Sequence, residues 1–170
     1  LVLGEDIPND APMLALSLRQ TVLQAPLKNA KALRLHPFED TALREAVQRT
    51  NGPLYLASSV STRVDDIATS TYRAAPDDIA RLGFAVAQAL DPESPKPEEL
   101  APEVAALAAE VAEQLKMADL PVIIAGHCTG TTQTVQAAAN VAWALKRLGH
   151  DVRLFLAAPH CNSMGAALLG

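Results

Sequence analysis

Apolar residues along the chain fall into two recurring patterns: short unbroken runs, and longer stretches with an apolar position every third or fourth residue. The short runs lie at 1–5 (LVLGE), 31–36 (KALRLH), 53–59 (PLYLASS), 120–126 (LPVIIAG) and 151–159 (DVRLFLAAP). They lack the polar alternation of a strand with one wet face, so they read as strands buried on both sides. Between them lie helical patterns. Leu14, Leu18 and Val22 share one face of a helix that Asn9 or Asp10 is placed to cap, with Pro12 in its first turn and Pro26 as its stop. A second helix follows Asp40. After the Ser/Thr-rich segment 58–62 come two helical pieces, the later one marked by Ile79, Leu82, Val86 and Leu90. Leu100, Val104, Leu107, Val111 and Leu115 mark another, and Val135, Ala138, Ala142 and Leu145 the last, with Gly149 as its stop. Strands alternating with helices predict a doubly wound α/β fold: a mainly parallel sheet of about five strands with helices on both faces.

A chain of 170 residues accommodates one such domain, 1–170. The stretch 91–99 (DPESPKPEE) reads as a Pro-rich exposed loop, too short to separate two domains. Because the sequence begins without methionine inside an apolar run and stops at GAALLG, it is expected to be a fragment of a larger subunit. Alanine carries much of the apolar content and aromatic residues make up only 4%, which favours close helix packing over large aromatic pockets. A net charge of -5 with no basic cluster argues against a nucleic-acid surface. No apolar run approaches the ~20 residues of a membrane span, so no direct membrane insertion is expected. Two cysteines offer no disulfide framework and are too few for an iron–sulfur cluster within this chain.

Ligands of open α/β sheets bind beyond the carboxyl ends of the strands. Here those ends carry Gly4-Glu5-Asp6, Ser58-Ser59, Gly126-His127-Cys128 and Pro159-His160-Cys161-Asn162. The loop from Gly126 to Thr132 is neither of the usual glycine-rich phosphate motifs, and Lys146 lies too far along the next helix to serve as a phosphate lysine. It offers two glycines, hydroxyls and a helix N-terminus suited to an anion. Equally, Gly126 and Gly130 can simply shape the turn while Thr131 or Thr132 caps the helix. His127, Cys128, His160 and Cys161 match a tetrahedral zinc site in number, but adjacent residues on extended chain point to opposite faces, so each pair would supply one ligand. Asp65-Asp66 and Asp77-Asp78 precede helical runs and read as caps, with Arg63 and Arg73 as their surface partners. No catalytic constellation emerges from spacing.

The wording of several segments adds to this. LVLGEDIPNDAPMLALSLRQ, STRVDDIATSTYRAAPDDIARLGFAVAQALD and CNSMGAALLG resemble, in order, segments of the G subunit of bacterial NADH-quinone oxidoreductase, or respiratory complex I. The resemblance implies a peripheral-arm subunit whose N-terminal portion carries iron–sulfur clusters and whose remainder has the molybdopterin-oxidoreductase fold. The parent complex passes electrons from NADH to quinone on the cytoplasmic side of the bacterial inner membrane, among other subunits of the same arm. The resemblance places counterparts of pterin-binding elements at Gly130, Gln133 and Asn162–Ala166, so that Gly126, Thr129, Gly130, Gln133 and Asn162 would line a remnant cleft. Subunits of this kind are regarded as having lost the molybdenum cofactor, so this stretch is expected to carry no cofactor and to be a non-catalytic scaffold. The alternatives are a working molybdopterin- or nucleotide-binding oxidoreductase domain, and a zinc-binding module.

Overall fold

The computed structural model describes residues 1–24, 27–28, 34, 36, 41, 51–97, 100–126, 128, 130–158, 160 and 162–169. Among these residues five strands form one sheet: β1 (Val2–Leu3), β2 (Tyr55–Ser58), β3 (Ser70–Arg73), β4 (Val122–Gly126) and β5 (Arg153–Ala157). All pairings are parallel, in the order β3-β2-β1-β4-β5. The helices are α1 (Ile7–Asp10), α2 (Pro12–Val22), α3 (Pro76–Leu90), α4 (Pro102–Met117), α5 (Thr132–Arg147) and α6 (Ser163–Leu169), with a 3-10 turn at Asp65–Ile67.

Strand alternation explains the two cores, because successive side chains leave opposite faces of a sheet. Leu3, Tyr55, Ala57, Ile123 and Ala125 face one way and pack with Ile79, Leu82 and Val86 of α3, Val111 of α4 and Val141 of α5. Val2, Leu56 and Ile124 face the other way, against Ile7 of α1 and Leu18 and Val22 of α2. The sheet is thus doubly wound, as its apolar strands predicted. Small residues let the helices close up: a Cβ on Gly83 of α3 would stand 2.8 Å from the Ala137 Cβ of α5. This is where the alanine-rich composition is used.

Several local expectations change. Residues 7–22 form two helices rather than one; Asn9 and Asp10 lie in the first, and Ala11 takes the N-cap of the second. The earlier helical piece expected after the Ser/Thr segment is a 3-10 turn followed by strand β3, whose sequence STYR carries no apolar run. The strand expected at 31–36 and the helix after Asp40 lie largely outside the described residues, as does Pro26. The loop after α3 is tied down at its start: Arg147 Nη1 donates to Asp91 Oδ2 at 2.8 Å and Glu93 Oε2 at 3.1 Å. Gly149 ends α5 with φ 90°, the left-handed stop expected there. Among the described residues, no helix is long and apolar enough to cross a membrane.

Candidate functional site

In this strand order the chain reverses direction of travel between β1 and β4, since β2 and β3 build out to one side of β1 while β4 and β5 build out to the other. Connections leaving the two strands diverge there and open a crevice at their carboxyl ends, the usual ligand position in such sheets. Here that position is filled from within. The chain leaves β1 through Gly4 and puts Glu5 into the crevice, only 4% exposed. Its carboxyl lies flat against the end of β4: a Cβ on Gly126 would fall 1.7 Å from Glu5 Oε2. Only glycine leaves that space open, so Gly126 serves the approach of a side chain from β1 as well as the turn.

Three donor groups converge on the crevice. Oxygens of Glu5 and Asp10 and the Cys128 sulfur all lie within 4.8 Å of one another. The Cys128 N–H donates to Glu5 Oε2 at 3.5 Å, the long limit for such a bond. Burial first, and then a hydrogen bond with the Asp10 carboxyl, raise the Glu5 pKa to about 8 against the lowering effect of the Cys128 amide. Glu5 is therefore protonated at neutral pH and donates to Asp10. Desolvation also raises the Cys128 thiol, and the charges of Glu5 and Asp10 act in the same direction against a donated Asp6 N–H. The thiol is thus no activated nucleophile. Two carboxyls and a thiol are chemically able to hold a divalent cation, yet as arranged they satisfy each other.

The polar groups at the ends of β2 and β3 are likewise engaged internally. The Ser58 hydroxyl donates to Val60 O at 2.6 Å and accepts from Arg73 Nη1 at 2.8 Å. Arg73 also pairs with Asp65, which accepts from Ser61 and Thr62 and is held down to a pKa of about 2. The Arg73–Asp65 pair was expected. For Asp66 the partner is Arg19 of α2, at 3.0 Å, and Arg63 takes part through its carbonyl, which accepts from the same guanidinium.

Of the residues expected to line the cleft, Gly126 is at its centre. Gly130 (φ 73°) lies on the exposed approach to α5, and Gln133 is exposed in its first turn. Thr131 takes the N-cap of α5, as one of the two threonines expected there, with its hydroxyl 3.0 Å from that of the buried Thr134. Asn162 is exposed just before α6, where its carbonyl accepts from Ala166 N–H at 2.9 Å. Thr129, His127 and Cys161 lie outside the described residues, and His160 is exposed. Among the described residues, Cys128 groups with Glu5 and Asp10; two members of the zinc set expected, His127 and Cys161, lie outside them. Sequence reasoning placed Glu5 at a strand end without giving it a role, and read Asp10 only as a helix cap. The available signal was a run of acids directly after the glycine of a buried strand.

An iron–sulfur cluster does not fit this stretch: it has two cysteines, where such a cluster takes about four thiolates. A phosphate-bearing cofactor fits the crevice poorly too, because carboxyl oxygens occupy the place where backbone amides would meet the phosphate.

No protein-family model matches the chain. It is 44% identical over 169 residues to the G subunit of NADH-quinone oxidoreductase from Pseudomonas fluorescens. The same protein of Pseudomonas putida is 40% identical over 169 residues, and that of Escherichia coli strain K12 is 40% identical over 170 residues. The alignments cover 99% to 100% of this chain, but the chain spans only 19% of the length of each relative. Over its whole length, then, the chain is a homologue of one stretch of the G subunit of NADH-quinone oxidoreductase.

Proposed function

We propose that this chain is a structural α/β unit of a peripheral-arm subunit of NADH-quinone oxidoreductase, the complex that passes electrons from NADH to quinone. It works on the cytoplasmic side of the bacterial inner membrane, contacts other subunits of that arm, and takes no direct part in electron transfer. Kinship supports the parent complex. The scaffold reading rests on one observation: the crevice between β1 and β4 is closed by the buried Glu5 carboxyl lying against Gly126. A cofactor in the usual position would have to displace a neutral carboxyl already hydrogen-bonded to Asp10, at the cost of leaving buried polar atoms unpaired. The remnant cleft keeps its turn and helix because the sheet needs them.

The test is Cys128→Ser in the complete subunit, assembled into the complex. The expected result is normal assembly and unchanged NADH-to-quinone activity per assembled complex. Lost activity with intact assembly would overturn the scaffold reading. Native mass spectrometry of the 170-residue chain with zinc, a guanine dinucleotide and NAD is expected to show the bare chain mass. A retained dinucleotide or zinc would instead support the cofactor-binding or metal-binding alternative.

A further inference from the structure

The sheet's two edges differ in finish. The β3 edge is four residues long, and its terminal Arg73 is tied to Asp65 and Ser58. Short length and charge are the usual ways to keep a free edge from pairing. The β5 edge has charge only at Arg153, which pairs with Asp151 at 3.0 Å. Beyond it stand Leu154, Phe155 and Leu156, exposed by 37%, 43% and 56%. Their register partners on β4 are Ile123, Ile124 and Ala125, at 0%, 1% and 0%. Because successive side chains leave opposite faces, the open apolar surface lies on both sides of β5.

Among the described residues, the outer backbone of β5 is open as well. Arg153 N–H donates to Pro121 O at 2.9 Å. A parallel ladder repeats every second residue, so Phe155 and Ala157 also turn their amides to β4 while Leu154 and Leu156 turn theirs outward. After β5 the chain enters α6, whose Leu168 and Leu169 are 83% and 88% exposed.

We propose that β5 receives a sixth parallel strand, contributed by the remainder of the same subunit polypeptide. Three features select this occupant. The relatives carry most of their length outside this stretch, which spans 19% of them. The step from β4 through α5 to β5 is a parallel crossover, and β5 followed by an apolar helix begins another of the same kind, which returns beside the strand it left. A strand beyond β5 also continues the order β3-β2-β1-β4-β5 in the direction in which doubly wound sheets grow. The inference rests on kinship with the longer subunit and is independent of the scaffold reading.

Amide hydrogen exchange at single-residue resolution tests it, comparing the 170-residue chain with the complete subunit purified free of other subunits. Leu154 and Leu156 amides are expected to exchange as open-edge amides in the short chain. In the complete subunit they are expected to slow by on the order of 100-fold or more, as strand amides do once paired. Three results would overturn the proposal: no slowing in the complete subunit, slowing only when other subunits are added, or concentration-dependent protection in the short chain, which would indicate a second copy. A variant gives an independent reading. Leu156→Lys is expected to leave the melting temperature of the short chain unchanged and to lower that of the complete subunit; an unchanged complete subunit counts against the sixth strand.

Discussion

At the centre of the sheet, β1 and β4 carry Val2, Leu3, Ile123 and Ile124, none more than 2% exposed; at its margin, β5 carries Leu154, Phe155 and Leu156, exposed by 37% to 56%. The two regions use the same residue types, run in the same direction and are joined by register. Their difference is positional. Each central strand has a neighbour on both sides and helices above and below, whereas among the described residues β5 has β4 alone. An apolar run thus reports that a strand is built for burial on both faces, and says nothing of whether the partner that buries it is present. The centre is also where polar chemistry is packed inward, with Glu5 held against Gly126.

The largest contrast is expected from truncation at matched positions. Ile124→Ala should destabilise the 170-residue chain by about 2–5 kcal/mol, through lost burial and the cavity left behind. Leu156→Ala should cost less than about 1 kcal/mol there, because its side chain is already in water. Urea denaturation of the two variants decides this. Equal losses would mean that β5 is covered in solution and would break the comparison.

Gly126→Ala probes the crevice end of the same central strands. The new methyl group collides with Glu5 Oε2, so the carboxyl must leave its site, and a loss of about 1–3 kcal/mol is expected. Removing the obstacle should relieve it: the double variant Glu5→Ala with Gly126→Ala is expected to lose less than the sum of the two single variants. Strict additivity in that cycle would show that Glu5 and Gly126 do not touch.

The most gradual effect is in pH, spread over several pH units. Glu5 has a folded-state pKa of about 8 against an ordinary value of 4.5. Below 4.5 both folded and unfolded chains hold its proton. Between 4.5 and 8 only the folded chain does, so folding takes up a proton and this group's contribution falls as pH rises, by no more than about 1.4 kcal/mol per pH unit. Above 8 the loss is complete. Glu5→Gln should therefore flatten the stability profile from pH 5 to 8 relative to the unsubstituted chain. The acids held low, Asp65 at about 2 among them, act in the opposite sense and in a lower window, losing their contribution as pH falls. An unchanged slope in Glu5→Gln would place the titrating group elsewhere.

Much of the architecture was open to reading because it rests on local repetition. The stripe Ile79, Leu82, Val86 and Leu90 is helical spacing, and all four residues are buried in α3. The runs ending at Gly126 and Ala157 are strands for the same kind of reason. β3 escaped notice because an edge strand buries only alternate side chains: Ser70 and Tyr72 are half-buried while Thr71 and Arg73 are exposed, so no apolar run exists to be read. The site was only half legible. Gly126 and the α5 turn stand out in the sequence, whereas the cluster that fills the crevice joins Glu5 to a residue 123 positions away.

The order of amino acids by itself determined the alternation of strand and helix, and with it a parallel sheet covered on two faces, because those follow from spacing within a few residues. Which strand lies at the centre, which edge stays open, and that Glu5 meets Gly126 and Cys128 were decided only by tertiary structure. Each depends on the order in which parallel strands lie side by side, and that order brings together residues from opposite ends of the chain. Once they are together, a missing Cβ at Gly126 makes room for the Glu5 carboxyl, and burial keeps its proton in place.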